Sequence, residues 1–270
     1  MDDPLKNLTE VRGCQSDECA LEADIYLRSS DGILFKAHSK NLELYSGGFP
    51  PAQFADVGDD EREVVQMSET SSVLALLLQY VHNQRQPDSS RFKFETLAGL
   101  AEAAEKYLVF SAMEVCKIQM RLSIPTNPMR VLAYAVKHGY PELRDVAAPL
   151  TISASLQSVD AVLHDMPAVL IAWVKYREGF IQALHFTFKR PPIVLHRGGL
   201  STCELWEPFQ QEIVAKGVDG KLERLKQFQA CVEDELHHLK DCTHCIKRAR
   251  TWGKTVADRV DLLPPFSSFL

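Results

Sequence analysis

The segment Cys242-Thr243-His244-Cys245 is the part of this sequence best suited to chemistry. Two thiolates separated by two residues can occupy adjacent corners of a zinc tetrahedron, and the same spacing serves dithiol redox chemistry. A zinc site needs a second pair of ligands, for which Cys203, Cys231, His237 and His238 are available. The sequence therefore raises a zinc hypothesis and a redox hypothesis, beside the ordinary packing of reduced thiols.

Packing of reduced thiols in a helical core is the interpretation that the surrounding sequence favours. Cys-x-x-Cys occurs once, and its segment reads as helix without the glycines of a zinc knuckle. Redox use of this spacing is typical of a thioredoxin-like βαβ unit, which the neighbouring sequence does not predict. We therefore expect no metal ligand, no cofactor and no catalytic residue, while zinc and redox chemistry stay open for Cys242 and Cys245.

The other motifs argue against enzymatic activity and against a nucleic-acid partner. No phosphate-binding loop, dinucleotide glycine motif, His-Glu-x-x-His or Gly-x-Ser-x-Gly occurs. The basic segment Lys247-Arg248-Ala249-Arg250 lies near Asp241 and Asp258, which is typical of a solvated helix face. The formal net charge of −6 disfavours a broad phosphate-binding surface.

Composition and length predict a folded protein of the cell interior, with about two average domains or one large domain. The chain has 270 residues, of which 46% are hydrophobic and 24% are charged. Its 7 cysteines are too sparse for a disulfide scaffold, and the sequence does not open on a secretory signal. The most apolar windows are about half of the ~20 residues that span a bilayer. We expect no membrane contact and a location in the cytoplasm or the nucleus.

The first half of the chain predicts a small sheet followed by helices. The side chains of Ala23 to Arg28 alternate between the two faces of a predicted strand, Asp31-Gly32 supplies a hairpin turn, and Ile33 to Ala37 is the returning strand. A short helix to Tyr45, a third strand at Val64 to Met67 and a run of helices follow. The helix from Ser68 to His82 carries a buried stripe of Val73, Leu74, Leu77, Leu78 and Val81.

Four motifs in this order resemble the BTB/POZ family. They are Asp24-Ile25-Tyr26-Leu27, Phe35-Lys36-Ala37-His38, Ser46-Gly47-Gly48-Phe49 and Ala101-Glu102-Ala103-Ala104-Glu105-Lys106-Tyr107. More narrowly, they look like short fungal BTB proteins without a named effector domain. The resemblance implies an α+β fold, a small β-sheet flanked by helices, followed by a mainly α-helical C-terminal region. His38 itself is expected to orient the junction between hairpin and helix.

The chain is expected to divide into five parts. Residues 1–20 form a mobile lead-in that could instead add an edge strand, and residues 21–122 form the BTB/POZ-like domain. Residues 125–186 resemble the helical BACK extension of that family, and residues 187–200, rich in proline and glycine, read as a linker. Residues 201–270 form a helical region, with helices expected at 202–216, 221–247 and 251–262.

The resemblance implies a protein-interaction module that forms homodimers. Some BTB proteins recruit cullin-3 ubiquitin ligases as substrate adaptors, and others act with transcriptional corepressors. The family tends to bury the aspartate at the position of Asp24 near a dimer pocket. A dimer patch could include Ile25, Leu27, Leu34, Leu42, Leu44 and Tyr45, although burial within one subunit explains most of these residues equally well.

The sequence departs from the cullin-binding pattern at one place. After Ser46-Gly47-Gly48-Phe49, the family usually continues with a helix that leads to a hydrophobic-x-Glu contact. Here Pro50-Pro51 and the acidic stretch Asp56 to Glu63 stand in that position. Because proline lacks a backbone donor and restricts its neighbour, the usual helix is expected to be shortened or shifted.

Overall fold

A computed structural model describes residues 10–16, 19–49, 64–189, 191–196, 199–201, 203–218 and 221–270. The chain divides into two compact units, Met1–Ser123 and Ile124–Leu270. The first unit combines a small sheet with helices and the second is helical, so the α+β character is confirmed. Of the helices described, none has the length and apolar character needed to cross a membrane. Pro50-Pro51 and the acidic stretch after it lie outside the described residues.

Within the described residues, the sheet of the first unit has four strands in the order β1-β3-β2-β4. They are β1 Val11–Arg12, β2 Ile25–Arg28, β3 Leu34–Ala37 and β4 Val64–Gln66. The predicted hairpin is confirmed, because β2 and β3 pair antiparallel and Gly32 takes the positive φ of 88° that its turn needs. β1 pairs parallel with β3, so part of the expected lead-in forms an edge strand.

Among the described residues of the first unit, four α-helices accompany this sheet. They are α1 Ser39–Tyr45, α2 Ser71–Tyr80, α3 Phe94–Tyr107 and α4 Phe110–Ser123. The predicted stripe on α2 is confirmed, since Leu74 and Leu77 are fully buried. α3 ends where Leu108 takes a left-handed conformation with φ 52°, and its amide bonds to the carbonyls of Ala104 and Glu105. This turn lets α4 reverse direction and pack against α3.

The second unit begins with two helical pairs, and three further α-helices and several 3-10 segments are described after them. Its helices are α5 Pro128–Lys137, α6 Pro141–Ala147, α7 Leu156–Leu163, α8 Pro167–Phe188, α9 Trp206–Val218, α10 Phe228–Asp234 and α11 Thr243–Asp261. Buried Trp173 on α8 donates its indole N–H to Thr151 Oγ1 at 2.8 Å. This hydrogen bond satisfies two polar groups within an apolar core.

The expected single helix over residues 221–247 is wrong. The chain there forms a 3-10 helix at Leu222–Gln227, then α10, then a second 3-10 helix at Leu236–Leu239. All three pack against α11, which runs unbroken through the position where a new helix was expected to start at Thr251. Short segments that change direction can stay in contact with α11. A straight helix over residues 221–247 would lose contact with it along part of its length.

Candidate metal centres

Four residues from three separate segments of the second unit meet at the start of α11. They are His196, Cys203, Cys242 and Cys245, and one ligand atom from each lies within 4.8 Å of all the others. His196 Nε2 lies 3.1 Å from Cys242 Sγ and 3.4 Å from Cys245 Sγ. We call this group the C-terminal cluster. It joins the Cys-x-x-Cys pair to Cys203, which the sequence offered as a ligand, and to His196, which it did not.

The helix that carries the pair begins inside the motif. Cys242 is the residue immediately before α11, and Cys245 lies in the first turn. The expectation that this motif is helical holds for Thr243 to Cys245, but Cys242 lies outside the helix, because the chain breaks after Leu239 as described above. A helix N-terminus presents unpaired backbone N–H groups and a positive dipole end, which favour thiolates there.

The two thiols of the motif have opposite electrostatic tendencies. Burial works to raise the pKa of Cys242, but hydrogen bonds from the Cys245 backbone, Cys245, Cys203 and His196 outweigh it and lower the pKa to about 7. Burial and the neighbouring sulfurs of Cys203 and Cys242 raise the pKa of Cys245 to about 12. The cluster can thus hold one negative charge easily, whereas additional thiolates require a cation close by.

The remaining ligands proposed from the sequence lie elsewhere. His237 and His238 form a group with Glu235, and Cys231 belongs to none of the clusters among the described residues. Glu235 Oε1 already accepts a hydrogen bond from Lys216 Nζ at 2.9 Å, and its other oxygen lies 3.2 Å from His238 Nε2. Because the ammonium group of Lys216 already pairs with the Glu235 carboxylate, we interpret Glu235, His237 and His238 as part of a surface ion-pair network.

A second cluster, which the sequence analysis missed, lies in the first unit. Cys14, Cys19, His38 and His82 place their ligand atoms within 4.8 Å of one another. Cys14 Sγ lies 3.1 Å from His82 Nε2 and 3.2 Å from His38 Nε2, and Cys19 Sγ lies 3.4 Å from His38 Nε2. We call this group the N-terminal cluster. Both imidazoles are buried, at 3% and 6% exposure for His38 and His82.

Backbone carbonyls orient both imidazoles of the N-terminal cluster. His38 Nδ1 bonds to the carbonyl of Glu22 at 2.9 Å, and His82 Nδ1 bonds to the carbonyl of Leu78 at 2.7 Å. A carbonyl only accepts, so each Nδ1 carries the proton and each Nε2 directs a lone pair at the sulfurs. Metal-binding histidines are commonly fixed in this way by a second hydrogen bond.

Local structure explains how distant residues reach the N-terminal cluster. Cys14 follows edge strand β1, His38 connects β3 to α1, and His82 lies just beyond the end of α2. His38 therefore organises the hairpin–helix junction, as expected, and also faces two thiols. The spacing Cys14-x4-Cys19 in the expected lead-in was the available signal, but only the pairing of β1 with β3 brings it to His38.

Two other sequence candidates have structural partners. Asp24 is exposed in the single chain, where its carboxylate accepts hydrogen bonds from the backbone amide and the hydroxyl of Ser39. In the basic segment, Arg248 is buried and donates to the carbonyl of Pro191 at 2.8 Å, and Arg250 pairs with Glu233. That segment is therefore not a continuous solvated face.

The two clusters are alike in the kind of site that they form, because each brings four cysteine and histidine side chains together. No family model matches this chain, and no curated protein matches it either. Sites in which four protein side chains fill a tetrahedron are structural in zinc proteins, whereas catalytic zinc keeps one position for water or substrate. Four cysteine and histidine side chains in each cluster would therefore suit a structural metal better than a catalytic one.

Proposed function

We propose that this chain is a protein-interaction module of the BTB/POZ type, in which the first unit dimerises and the helical second unit contributes partner binding. The order of elements in the first unit supports this proposal: a β-hairpin, a short helix, a strand that joins the hairpin, and then paired helices. This is the arrangement that the resemblance of the sequence implies.

The observation that carries the proposal is that two of the resembling motifs meet in space. Gly48 donates its amide to the carbonyl of Tyr107 at 2.9 Å, and the rings of Phe49 and Tyr107 stack with centroids 4.4 Å apart. A Cβ atom on Gly48 would lie 2.6 Å from Tyr107 Cα, so only glycine permits this approach. Motifs more than fifty residues apart thus form one packed joint, which argues against a chance likeness.

The exposed surface narrows the expected dimer patch. Leu27, Leu34 and Leu42 are buried in the unit itself, at 1%, 0% and 3% exposure, so their apolar character needs no partner. Leu44 on α1 is instead 69% exposed. In an isologous dimer each copy presents the same patch, so one exposed leucine contributes twice to the interface.

Sedimentation velocity of the full chain at tens of micromolar tests this proposal. We expect a dimer, and we expect Leu44→Asp to shift the chain towards monomer because a desolvated carboxylate at the two-fold interface is costly. Leu262→Asp is the matched control, since Leu262 is 82% exposed in the second unit and its replacement should leave the dimer intact. A monomeric wild-type chain at these concentrations would contradict the proposal.

The cullin-3 substrate adaptor and the BTB-linked transcriptional regulator are alternatives within the same class. The segment that bears on cullin binding lies outside the described residues. A binding experiment must therefore decide between the two alternatives. Mixing the purified chain with purified cullin-3 on a sizing column separates the alternatives. Co-elution supports an adaptor, and separate elution beside a known adaptor that does co-elute removes it.

A further inference from the structure

We infer that each unit carries one structural zinc ion, held by Cys14, Cys19, His38 and His82 in the first unit and by His196, Cys203, Cys242 and Cys245 in the second. This inference does not depend on the proposed function, because the two groups of side chains are close together whatever the protein does. The first site has a Cys₂His₂ ligand set and the second has Cys₃His.

The distances fit a single ion in each cluster. Zinc bonds of about 2.0–2.3 Å in a tetrahedron require the ligand atoms to lie about 3.3–3.8 Å apart. The sulfur–nitrogen separations of 3.1–3.4 Å come close to this range in both clusters. In a two-iron cluster with cysteines on one iron and histidines on the other, sulfur and imidazole nitrogen would stand farther apart. Here sulfur and imidazole nitrogen atoms lie next to each other, as they would around a single ion.

The donor types favour zinc among single ions. Tetrahedral sites of mixed sulfur and imidazole nitrogen are typical of zinc, whereas magnesium and calcium require oxygen ligands. On binding, Zn²⁺ displaces the protons of the coordinating thiols, and each neutral imidazole contributes a lone pair. The first site then has no net charge, and the second carries one negative charge beside the N-terminus of α11, where the helix dipole is favourable.

The first site connects segments that are far apart in the sequence. Cys14 and Cys19 follow edge strand β1, whereas His38 and His82 are buried residues that follow β3 and α2. With Nδ1 of each imidazole bonded to a carbonyl, the two Nε2 atoms form a rigid half of the site. Zinc then fixes the chain before β2 against the hairpin–helix junction.

The second site connects three parts of the helical unit. His196 lies in the segment that reads as a linker, Cys203 precedes α9, and the other two ligands begin α11. A bound ion would fix the linker segment and the start of α9 to the longest helix of the C-terminal region. Arg248 supports the same geometry one turn later, through its bond to Pro191.

The metal content of the full chain tests the inference. The protein is produced with supplementary zinc, purified under a phosphine reductant without chelator, and analysed by mass spectrometry of the elements. We expect two zinc ions per chain, one for each cluster. A chain that contains less than a fifth of that zinc, and that takes up none when titrated, would overturn the inference.

Single substitutions assign the ions to the clusters. Cys14→Ser and Cys203→Ser should each leave one ion per chain, because each removes one ligand from a different cluster. Cys231→Ser is the control, since this partly exposed thiol belongs to neither cluster, and it should retain both ions. A cluster whose substitution leaves the zinc content unchanged is not a zinc site.

Cobalt provides a readout on the wild-type chain that does not require any variant to fold. Co²⁺ in place of zinc gives thiolate-to-metal charge-transfer absorption that grows with the number of thiolates, here two in one cluster and three in the other. We expect tetrahedral visible bands and an intensity that fits five thiolates over two ions. A disulfide between Cys242 and Cys245, found by mass as the loss of two hydrogens in protein kept from oxidants, would overturn the second site.

Discussion

Asp31 and Ser71, forty residues apart, form a double hydrogen bond that ties the hairpin turn to a helix. Asp31 Oδ1 accepts from the Ser71 amide at 2.8 Å, and Oδ2 accepts from the Ser71 hydroxyl at 2.7 Å. The amide belongs to the first residue of α2, which has no partner within its own helix. At the other end of the hairpin, Asp24 makes the same pair of contacts with Ser39 at the start of α1. Each end of the hairpin thus caps one helix.

Replacing Asp31 by asparagine should destabilise the first unit in a pH-dependent manner. Hydrogen bonds from Ser29 and Ser71 lower the pKa of Asp31 from 3.8 to about 2. A pKa that is lower in the folded than in the unfolded state stabilises the fold above the unfolded value, and this contribution is lost as the pH falls through the folded value. The melting temperature of D31N should lie below that of the wild type at pH 7, and the gap should shrink below about pH 4.

Ser71→Ala provides the control for this prediction. Because both substitutions break the same contact, their effects on the free energy of unfolding should be less than additive. Thermal unfolding of the wild type, the two single variants and the double variant, followed by circular dichroism from pH 3 to pH 7, measures the non-additivity and the pH dependence. Additive losses, or a gap between wild type and D31N that does not change with pH, would contradict this explanation.

Gly48→Ala should destabilise the first unit far more than Gly47→Ala. A Cβ on Gly48 would meet three backbone atoms of Lys106 and Tyr107 at 2.6–2.8 Å, and these cannot rotate away. A Cβ on Gly47 would meet only the side chain of Leu108, at 3.2 Å and beyond. We expect losses of about 1–3 kcal/mol for G48A, as for other overpacked sites, and within about 0.5 kcal/mol for G47A. Urea unfolding measures both, and equal losses would refute the close approach.

Arg248→Lys should destabilise the second unit, whereas Arg250→Lys should not. The Arg248 guanidinium lies 4.0 Å from the Trp206 ring centroid and donates to the Pro191 carbonyl, and the residue is 8% exposed. Lysine cannot keep a planar group on the ring and reach the carbonyl at once. We expect R248K to cost about 1–3 kcal/mol, the range for charged hydrogen bonds that are lost in a buried site.

Arg250 is an exposed neighbour that forms a surface ion pair with Glu233, at 3.2 Å. Such pairs contribute little, so R250K should change the free energy of unfolding by less than about 0.5 kcal/mol. Chemical denaturation of both variants, followed by tryptophan fluorescence, makes the comparison. If R248K is as stable as R250K, the contacts of Arg248 with Trp206 and Pro191 do not stabilise the unit.

Thr151→Val should leave an unpaired donor in the core of the second unit. Thr151 and Trp173 are 1% and 0% exposed, so water cannot replace the lost acceptor of the indole N–H. The expected cost is about 1–3 kcal/mol, and it should fall when Trp173 is already phenylalanine, because that ring has no N–H to leave unpaired. Urea unfolding of the two single variants and the double variant measures this coupling. A cost of T151V that is the same in both backgrounds would contradict it.

Local signals in the sequence predicted the hairpin and most helices. Asp31-Gly32 supplies the positive φ that its turn needs. The alternation over β2 predicted the strand but not its burial, because Tyr26 and Leu27, on opposite faces, are both buried. The stripe on α2 follows from helical spacing alone. These features depend on residues within a few positions of one another, which is the range over which turn chemistry and periodicity operate.

Helical spacing could not predict the breaks before α11. The buried residues Leu222, Leu225, Phe228, Val232, Leu236 and Leu239 recur every three or four positions. One straight helix would show the same repeat, so periodicity does not distinguish it from short α and 3-10 segments that wrap around a neighbour. The break depends on contacts with α11, which the local sequence does not contain.

The two clusters were the least accessible features to sequence reasoning. The Cys-x-x-Cys pair indicated where to look, and Cys203 was among the ligands offered, but His196 lies nearly fifty residues before it. In the N-terminal cluster, sixty-eight positions separate Cys14 from His82. Cysteine and histidine are common core residues, so only tertiary structure distinguishes convergent ligands from isolated ones.

Edge strand β1 has a consequence for how other chains can approach the sheet. It runs beside β3, so Val11 and Arg12 occupy backbone positions that an incoming peptide would need in order to extend the sheet on that side. Exposed sheet edges are also where folded proteins begin to aggregate. A truncation that removes the first twelve residues would expose the edge of β3. Another strand should then be able to pair with β3 in place of β1.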